Sequence, residues 1–543
     1  MTAGYGTAES RAPSKREILI NNLGSGRIYA AIYKTRGPLA TETKTVSIAS
    51  SENEWVKGLG LTSATTLVMG SMIGSGIFIV SAEIARLVDS PVLLIAAWVV
   101  TGFMTITGAL AYGELAAMMP RAGGQYVYLR ESLGPLWGFL YGWTLYLVIQ
   151  TGTIAAVGVA FGKFLGVFFP SISSTHWIWH IAHVPPIPIG PMVLGNMDVG
   201  LNTQNLMAVL MVIFLSVLNI FGVKTGAAVQ NVFTFAKTAA LLGLVLLGIF
   251  VGRNASAIAA NFGANFWRNA GWNALHPVQV GVGGPIALVG TITIIAVAQV
   301  GSLFSADAWN NVTFTAGEVR NPQRNLPLAL ALGTGAVILL YVLANFVYLS
   351  VLPLAGIQHA PEDRVATAVV QQIFGPVGAQ IMAIAILVST FGCNNGLILA
   401  GARVYYAMAK NGLFFRSAGR LHPKYHTPAH SLLMQCVWTC ILCISGSYGQ
   451  LLDYIIFAVL VFYILTIAGL FVLRVKRPDE PRPYRAIGYP VLPAMYILLA
   501  VFIDVVLLRY KPQYTWPGLI IVLLGIPVYF LWSKRNPQPS TQA

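Results

Sequence analysis

Apolar runs of about 20 residues, the length that carries a helix across a bilayer, recur twelve times in this chain. They cover approximately residues 60–88, 91–118, 136–168, 203–222, 229–252, 285–310, 327–354, 375–408, 430–448, 452–474, 488–509 and 515–533. Lipid offers no partner to an open backbone, so segments of this kind cross as helices that satisfy their own N–H and C=O groups. The expected fold is therefore an all-α polytopic membrane protein with twelve transmembrane helices. The long runs 136–168 and 375–408 call for tilt. Composition agrees: 56% of residues are hydrophobic and 9% are charged, against roughly 25% charged in soluble domains. A net charge of +15 would point to nucleic acid in a soluble protein. Here lysine and arginine gather in alternate loops, as they do on the cytoplasmic side of membrane proteins, and nucleic-acid binding is excluded.

Arg121, Arg130, Lys224, Arg320, Arg324, Lys410, Arg416, Arg420, Lys424 and the group Arg474–Arg485 fall in one set of loops, while 169–202 and 445–452 hold no lysine or arginine. This asymmetry predicts both termini in the cytoplasm and a location in the cell membrane. Residues 1–57 are polar, lack the apolar core of a signal peptide, and are expected to form a cytoplasmic tail; 534–543 form a second. The membrane domain between them spans 58–533.

Two of the runs are interrupted. The first contains Gly70-Ser-Met-Ile-Gly-Ser-Gly-Ile-Phe78, and the sixth ends in Gly301-Ser-Leu-Phe-Ser-Ala-Asp-Ala-Trp309. An unwound stretch at membrane depth survives where it lines a cavity or binds something. A pair of broken helices in corresponding positions marks the binding site of a secondary transporter. Five runs separate the breaks, so 58–252 and 285–474 are expected to be inverted repeats of five helices each, with two extra helices in 488–533.

Beyond Gly76 the first helix restarts, and the amides of Ser75, Gly76 and Ile77 form a cradle for a carboxylate. Gly74 and Gly76 let an anion approach, and the Ser75 hydroxyl adds a donor. The outer half of the sixth helix ends near Phe304, where its terminal carbonyls suit an ammonium group. An α-amino acid is the simplest zwitterion that fits both. Phe304 is a candidate gate, with plain packing as its other role. Asp307 is an intramembrane carboxylate, expected to cap the inner half of the sixth helix, with side-chain contact to substrate as the alternative.

Lys237 lies about 15 Å from the cytoplasmic end of its helix at 1.5 Å per residue, too deep to snorkel, and is expected to face the protein interior. Its ammonium is a stand-in for a bound sodium ion that ties the fifth helix to the first break, or a carrier of a transported proton. Glu114 is read as a structural partner near the inner end of the second helix, ahead of a proton carrier. Lys163 is expected to snorkel. His176, His180 and His183 share one external loop, and the i, i+4 pair is a weak metal signal. Cys393, Cys436, Cys440 and Cys443 all lie in apolar segments; the C-x-x-C at 440–443 has no second pair, so these are packing residues and no disulfide, metal or cofactor is expected. No enzyme constellation or Walker motif is present, which excludes ATP-driven transport within this chain.

Four stretches resemble the amino acid–polyamine–organocation superfamily of permeases, and most closely its L-amino acid transporter group: Gly70–Phe78, Gly113–Tyr128, Phe304–Pro327 and Phe391–Gly412. The resemblance runs from about residue 57 to 533. It implies that Met72 to Gly76 and Phe304 to Asp307, Ser305 included, contact an amino acid through backbone atoms. It also implies that Asn395 lies near the substrate and that Lys237 matches the lysine of sodium-independent members. Two positions depart from the group: a tyrosine and a glycine common before Trp309 are Ala306 and Ala308 here, which stiffens the unwound stretch. The 169–202 loop lacks the cysteine that links animal relatives to a heavy subunit, so no such disulfide-linked partner is expected.

The resulting expectation is a sodium-independent amino acid transporter working by alternating access, exchanging neutral L-amino acids. Proton-coupled symport through Lys237, and exchange of cationic amino acids or polyamines, are the alternatives on mechanism and substrate; a channel or a non-transporting receptor is the alternative class.

Overall fold

The computed structural model describes residue 55 and residues 57–185, 187–189, 192–194, 197–281, 284–445 and 448–535. Apart from Trp55, Lys57, Lys534 and Arg535, the two expected tails lie outside the described residues.

The first apolar run folds as three helical pieces, α1 (Leu61–Met72), α2 (Gly76–Ile79) and α3 (Ser81–Val88). The run then turns at Asp89, whose φ of +41° ends α3 in the left-handed region. Pro91 opens α4 (Pro91–Met118) at a position where its missing N–H costs nothing. A short α5 (Gln125–Ser132) precedes α6 (Pro135–Thr144), a π-helical turn at 145–149, and α7 (Gln150–Leu165). After an extended segment come α8 (Thr203–Ile220), capped by the Asn202 side chain, and α9 (Val223–Phe250). The small α10 (Ala255–Phe262) is capped by Asn254.

The sixth run differs from its expected start. Ile286–Gly290 is a β-strand paired antiparallel with Leu275–Gln279, and the helix α11 covers only Thr291–Ser305. The run of β-branched residues there satisfies either conformation; pairing with a neighbouring strand decides for β. The chain then unwinds through 306–310 and resumes as α12 (Asn311–Phe314). The rest comprises α13 (Pro322–Val351), α14 (Leu354–Gln358), α15 (Val365–Lys410), α16 (Ala429–Ser445), α17 (Tyr448–Lys476), α18 (Val491–Tyr510) and α19 (Pro512–Arg535). Gly375, at φ +67°, interrupts the helical backbone within α15 just before Pro376.

Among the described residues, ten helical segments are long and apolar enough to cross a membrane, and two shorter apolar helices, Thr291–Ser305 and Ala429–Ile444, accompany them. This is a multi-pass membrane protein. The interrupted helices sit at its centre: α1 packs against α9, α13 and α15, and α11 against α3, α4, α17 and α18. Helices further out present bare apolar side chains, such as Val232 and Phe235 of α9, 67% and 59% exposed. Lys237 on that same helix is fully buried, so its side chain faces the bundle and not the lipid.

Between α7 and α8 the described residues include two pairs of short strands. Strand Trp177–Val184 pairs with Met197–Asn202, so the histidines there lie on a strand and not at helical spacing. His180 Nε2 and His183 Nδ1 lie 3.1 and 3.0 Å from one oxygen of Asp198, and these bonds hold its carboxyl below the usual carboxylate range. His176 is not part of this cluster, and no group of three or more metal-ligating side chains is found among the described residues.

Candidate functional site

Helix α1 loses its ladder at Gly74, whose N–H turns to Met72 O at 2.8 Å. Carbonyls 70 to 74 would be orphans at membrane depth, yet each meets a donor. Lys237 Nζ donates to Gly70 O at 2.5 Å, Ile73 O at 2.8 Å and Ser389 O at 3.3 Å. Ser389 Oγ donates to Ile73 O at 3.0 Å and Gly74 O at 3.2 Å. The Cys393 thiol reaches Ser71 O at 3.1 Å, and Tyr341 Oη reaches Met72 O at 2.9 Å. A fixed ammonium thus gathers backbone carbonyls of α1 and α15, a role otherwise suited to a bound cation.

Helix α13 supplies a second set of ties. Tyr341, Asn345 and Tyr348 recur at i, i+4 and i+7, one face of a helix. Tyr341 meets Met72 O, Asn345 Oδ1 accepts from Ser81 Oγ at 2.7 Å, and Tyr348 Oη donates to Ile77 O at 3.1 Å.

At the second interruption Ala306 N and Asp307 N fold back on carbonyls 302 to 304. Ala308 adopts φ +64°, a left-handed torsion that an L-residue with a Cβ holds at a cost of roughly 1–2 kcal/mol. Asp307 does not cap the inner segment as expected. The residue before α12 is Asn310, which makes no side-chain cap, and the Asp307 carboxylate instead accepts from Tyr463 Oη at 2.6 Å. Trp309 packs edge-on to Tyr112 and beside Tyr463.

The two interruptions face a common cavity. Met72, Gly74, Ser75, Gly76, Phe304, Ser305 and Asp307, expected from the sequence to meet substrate, all line it, joined by Ser71, Thr153, Val157, Ala308 and Cys393. Asp307 also lines two neighbouring cavities, one toward Gln125, Gln150 and Asn311, the other toward Met104, Thr105 and Tyr496. Each has room for about one water-sized sphere, about 10 Å³.

The structure does not bring Ile77 or Asn395 to this cavity. Ile77 is buried behind it, against Tyr348. The Asn395 amide donates to Gly226 O and Gln230 Oε1 and accepts from Asn219, joining α15 to α8 and α9. Glu114 is remote as well. Its carboxylate takes a two-pronged contact from Arg474 at 3.0 and 2.6 Å, Ala486 N at 2.7 Å and Arg482 Nε at 3.3 Å, a structural anchor between α4, the last turn of α17 and the segment after it. Sequence reasoning missed Tyr341, Ser389, Cys393 and Tyr463. The i, i+4, i+7 recurrence of polar residues in α13 was the available signal for the first.

Residues 59–531 match the family model described as Amino acid permease. The chain belongs to this family. It is similar to the human large neutral amino acids transporter small subunit 2, with 31% identity over 88% of this chain and 80% of that protein. It is 28% identical to the serine/threonine exchanger SteT of Bacillus subtilis (strain 168), over 90% of this chain and 99% of that one. It is also 28% identical to the mouse b(0,+)-type amino acid transporter 1, over 93% of both. The chain is accordingly a membrane transporter of amino acids and not an enzyme.

Proposed function

We propose that this permease is a sodium-independent exchanger of neutral L-amino acids, working by alternating access in the cell membrane. The observation that carries the reading is Lys237. Its ammonium already occupies the carbonyl cluster at the first break, leaving a sodium ion no role there. Exchange draws support from the Bacillus relative, a serine/threonine exchanger, and neutral substrates from the human one, a transporter of large neutral amino acids. In this reading twelve helices cross the membrane as two inverted repeats, 58–252 and 285–474, plus 488–533, with both termini inside. The cavity holds the carboxylate against the start of α2 and the ammonium against the end of α11. No disulfide-linked heavy subunit is proposed, because residues 169–202 contain no cysteine.

A second reading on substrate has one specific observation in its favour. Asp307 lines each of the three cavities described above, where its carboxylate would attract the side-chain cation of a diamino acid. The test is radiolabelled alanine and leucine uptake into sodium-free proteoliposomes, with and without internal amino acid, at equal and unequal pH. Uptake that requires internal amino acid supports exchange; uptake into empty vesicles driven by an inward proton gradient supports symport and replaces the exchange reading. Inhibition by arginine or putrescine stronger than by alanine and leucine would transfer the assignment to cationic substrates.

A further inference from the structure

The sixth apolar run begins as a strand, and its hairpin with Leu275–Gln279 has two unlike faces, since residues opposite one another in such a pair share a face. His276, Val278 and Val289 form the first, buried where the hairpin packs on α3 and α11. Leu275, Pro277, Gln279, Ile286 and Leu288 form the second. Ile286 and Leu288 are 70% and 64% exposed, and residues 269–306 include no Asp, Glu, Lys or Arg. A segment suited to water would carry roughly one charged residue in four. Trp272, just before the hairpin, is 86% exposed.

The length of α11 sets the height of this face. Its 15 residues rise about 22 Å from the break at 1.5 Å per residue. Substrate-site breaks in secondary transporters lie near the bilayer midplane. From there hydrocarbon reaches about 15 Å and headgroups about 20–22 Å, so Thr291 comes to headgroup level, and a tilt of about 20° lowers it by only ~1 Å. Thr291 Oγ1 donates to Gly271 O at 2.7 Å, which pins Trp272 at the same height. The bare apolar positions run on into α11 at Ile292.

We infer that this hairpin and Trp272 form a lipid-binding element that lies in the boundary between headgroups and acyl chains, in the outer leaflet under the proposed orientation. Tryptophan favours that boundary because its ring is apolar and its N–H polar. The sheet has two strands, so each leaves an open edge; headgroups still hold water for such edges, whereas hydrocarbon does not. A face that docks a soluble partner carries a polar rim, but residues 280–285, which join the strands, are only Val, Gly and Pro. Because the buried face packs on α3 and α11, the lipid surface holds one helix from each interrupted run at a common height. The inference is independent of which amino acid is carried.

The experiment reconstitutes the full chain in phosphatidylcholine vesicles, where the difference between wild-type and Trp272→Phe fluorescence isolates Trp272. Nitroxide lipids labelled on the headgroup, near the top of the acyl chain or near its end report depth, and iodide on both sides of the membrane reports water. The headgroup and upper-chain labels are expected to quench Trp272 at least about threefold more than the chain-end label, and iodide at least about threefold less than it quenches free tryptophan. Iodide quenching equal to that of free tryptophan, with none from any lipid label, would overturn the inference; it is the result for a face left to water or reserved for a soluble partner. Lipid quenching that disappears as the protein-to-lipid ratio is raised would overturn it in favour of a second copy of this chain. In the double variant Ile286→Asp/Leu288→Asp, lipid quenching of Trp272 is expected to fall at least about twofold, and unchanged quenching would overturn the part given to the hairpin. Should Trp272→Phe fail to insert, Trp267→Phe supplies the same readings from the neighbouring exposed indole, with the same outcomes deciding.

Discussion

Gly76→Ala is the sharpest test of how the two breaks fit together. A Cβ on residue 76 would lie 2.8 Å from Ser305 Cβ and 2.9 Å from Ser305 Cα. Carbon atoms pack best at about 3.5–4.0 Å, so α2 and α11 would have to part by roughly 0.6–1.2 Å. Part of that obstacle is backbone, which no rotamer change removes. Overpacking of this kind costs about 1–3 kcal/mol, and the cost falls on the arrangement that joins both breaks around one cavity. A shift of that size changes a conformational population about 5- to 150-fold. Gly74→Ala is the internal control: its Cβ would meet the Cys393 sulfur at 3.1 Å and nothing else nearer than 3.8 Å, a side-chain end that can turn away. Counterflow in proteoliposomes, normalised to inserted protein, should fall at least tenfold in Gly76→Ala and no more than about threefold in Gly74→Ala. The steric partner is Ser305, before any effect on a carboxylate cradle. Equal activity in the two variants would refute the reasoning, because it would mean that the close approach of α2 to Ser305 is not required for transport.

Lys237→Met removes the Gly70 carbonyl's ammonium donor while Ile73 O keeps Ser389; counterflow is expected to fall at least tenfold at every pH from about 5 to 8, and wild-type rates across that range would dismiss Lys237 as tether. Ala308→Gly relieves the φ of +64° but adds chain entropy to the unfolded state, so stability should move by less than about 1 kcal/mol. Its lost methyl, which lines two of the cavities, should shift competition toward leucine over alanine; an unchanged ratio would show that position 308 does not set side-chain size. Glu318→Gln removes the carboxylate charge that lies 3.1 Å from the Arg403 guanidinium, itself 1% exposed, at a cost of about 3–5 kcal/mol. Arg86→Ala breaks a pair with Asp363 that is about two-fifths exposed and costs about 1 kcal/mol or less. Thermal unfolding in detergent should separate these two variants clearly, and equal midpoints would contradict the assignment of a buried and a surface tie.

Hydropathy made the membrane spans legible, because a run of about 20 apolar residues has one outcome in lipid. The first break was legible because Gly74-Ser75-Gly76 weakens a helix at membrane depth, and the second because Gly301 and the intramembrane carboxylate of Asp307 interrupt an apolar run, although Ala306 and Ala308 favour helix. The inward aim of Lys237 followed from its depth. What stayed hidden was pairing across sequence distance. Asp307 read as a cap because capping is local, whereas its partner Tyr463 lies on a helix 156 positions later. Asn395 came from resemblance alone, and the packing of α8 and α9 turns it aside. The start of α11 was misplaced because Ile286–Gly290 carries the same apolar signal as the helix that follows, and strand pairing is a tertiary choice.

The ties at the two ends of the first broken helix are unequal, and the inequality bears on alternating access. At the end before α1, Leu59 N donates to Glu318 O at 3.0 Å, Arg320 N to Leu59 O at 2.8 Å, and Glu318 pairs with Arg403 out of contact with water. At the end beyond α3, Asp89 accepts from Gln358 at 2.9 Å and pairs with Arg268 at 2.9 Å, and Arg86 pairs with Asp363 at 2.7 Å. These pairs are substantially exposed and exchange readily with water and salt. In the proposed orientation the weak set faces outside and the strong set faces the cytoplasm. Opening outward then costs little more than surface ion pairs, while opening inward must hydrate a buried pair and break a strand-like bridge. In the exchange reading, bound substrate offsets the inward step. Slow return of the empty carrier is what obligate exchange requires, so the same inequality links the backbone of residues 59 and 318–320 to the transport mode proposed for the site.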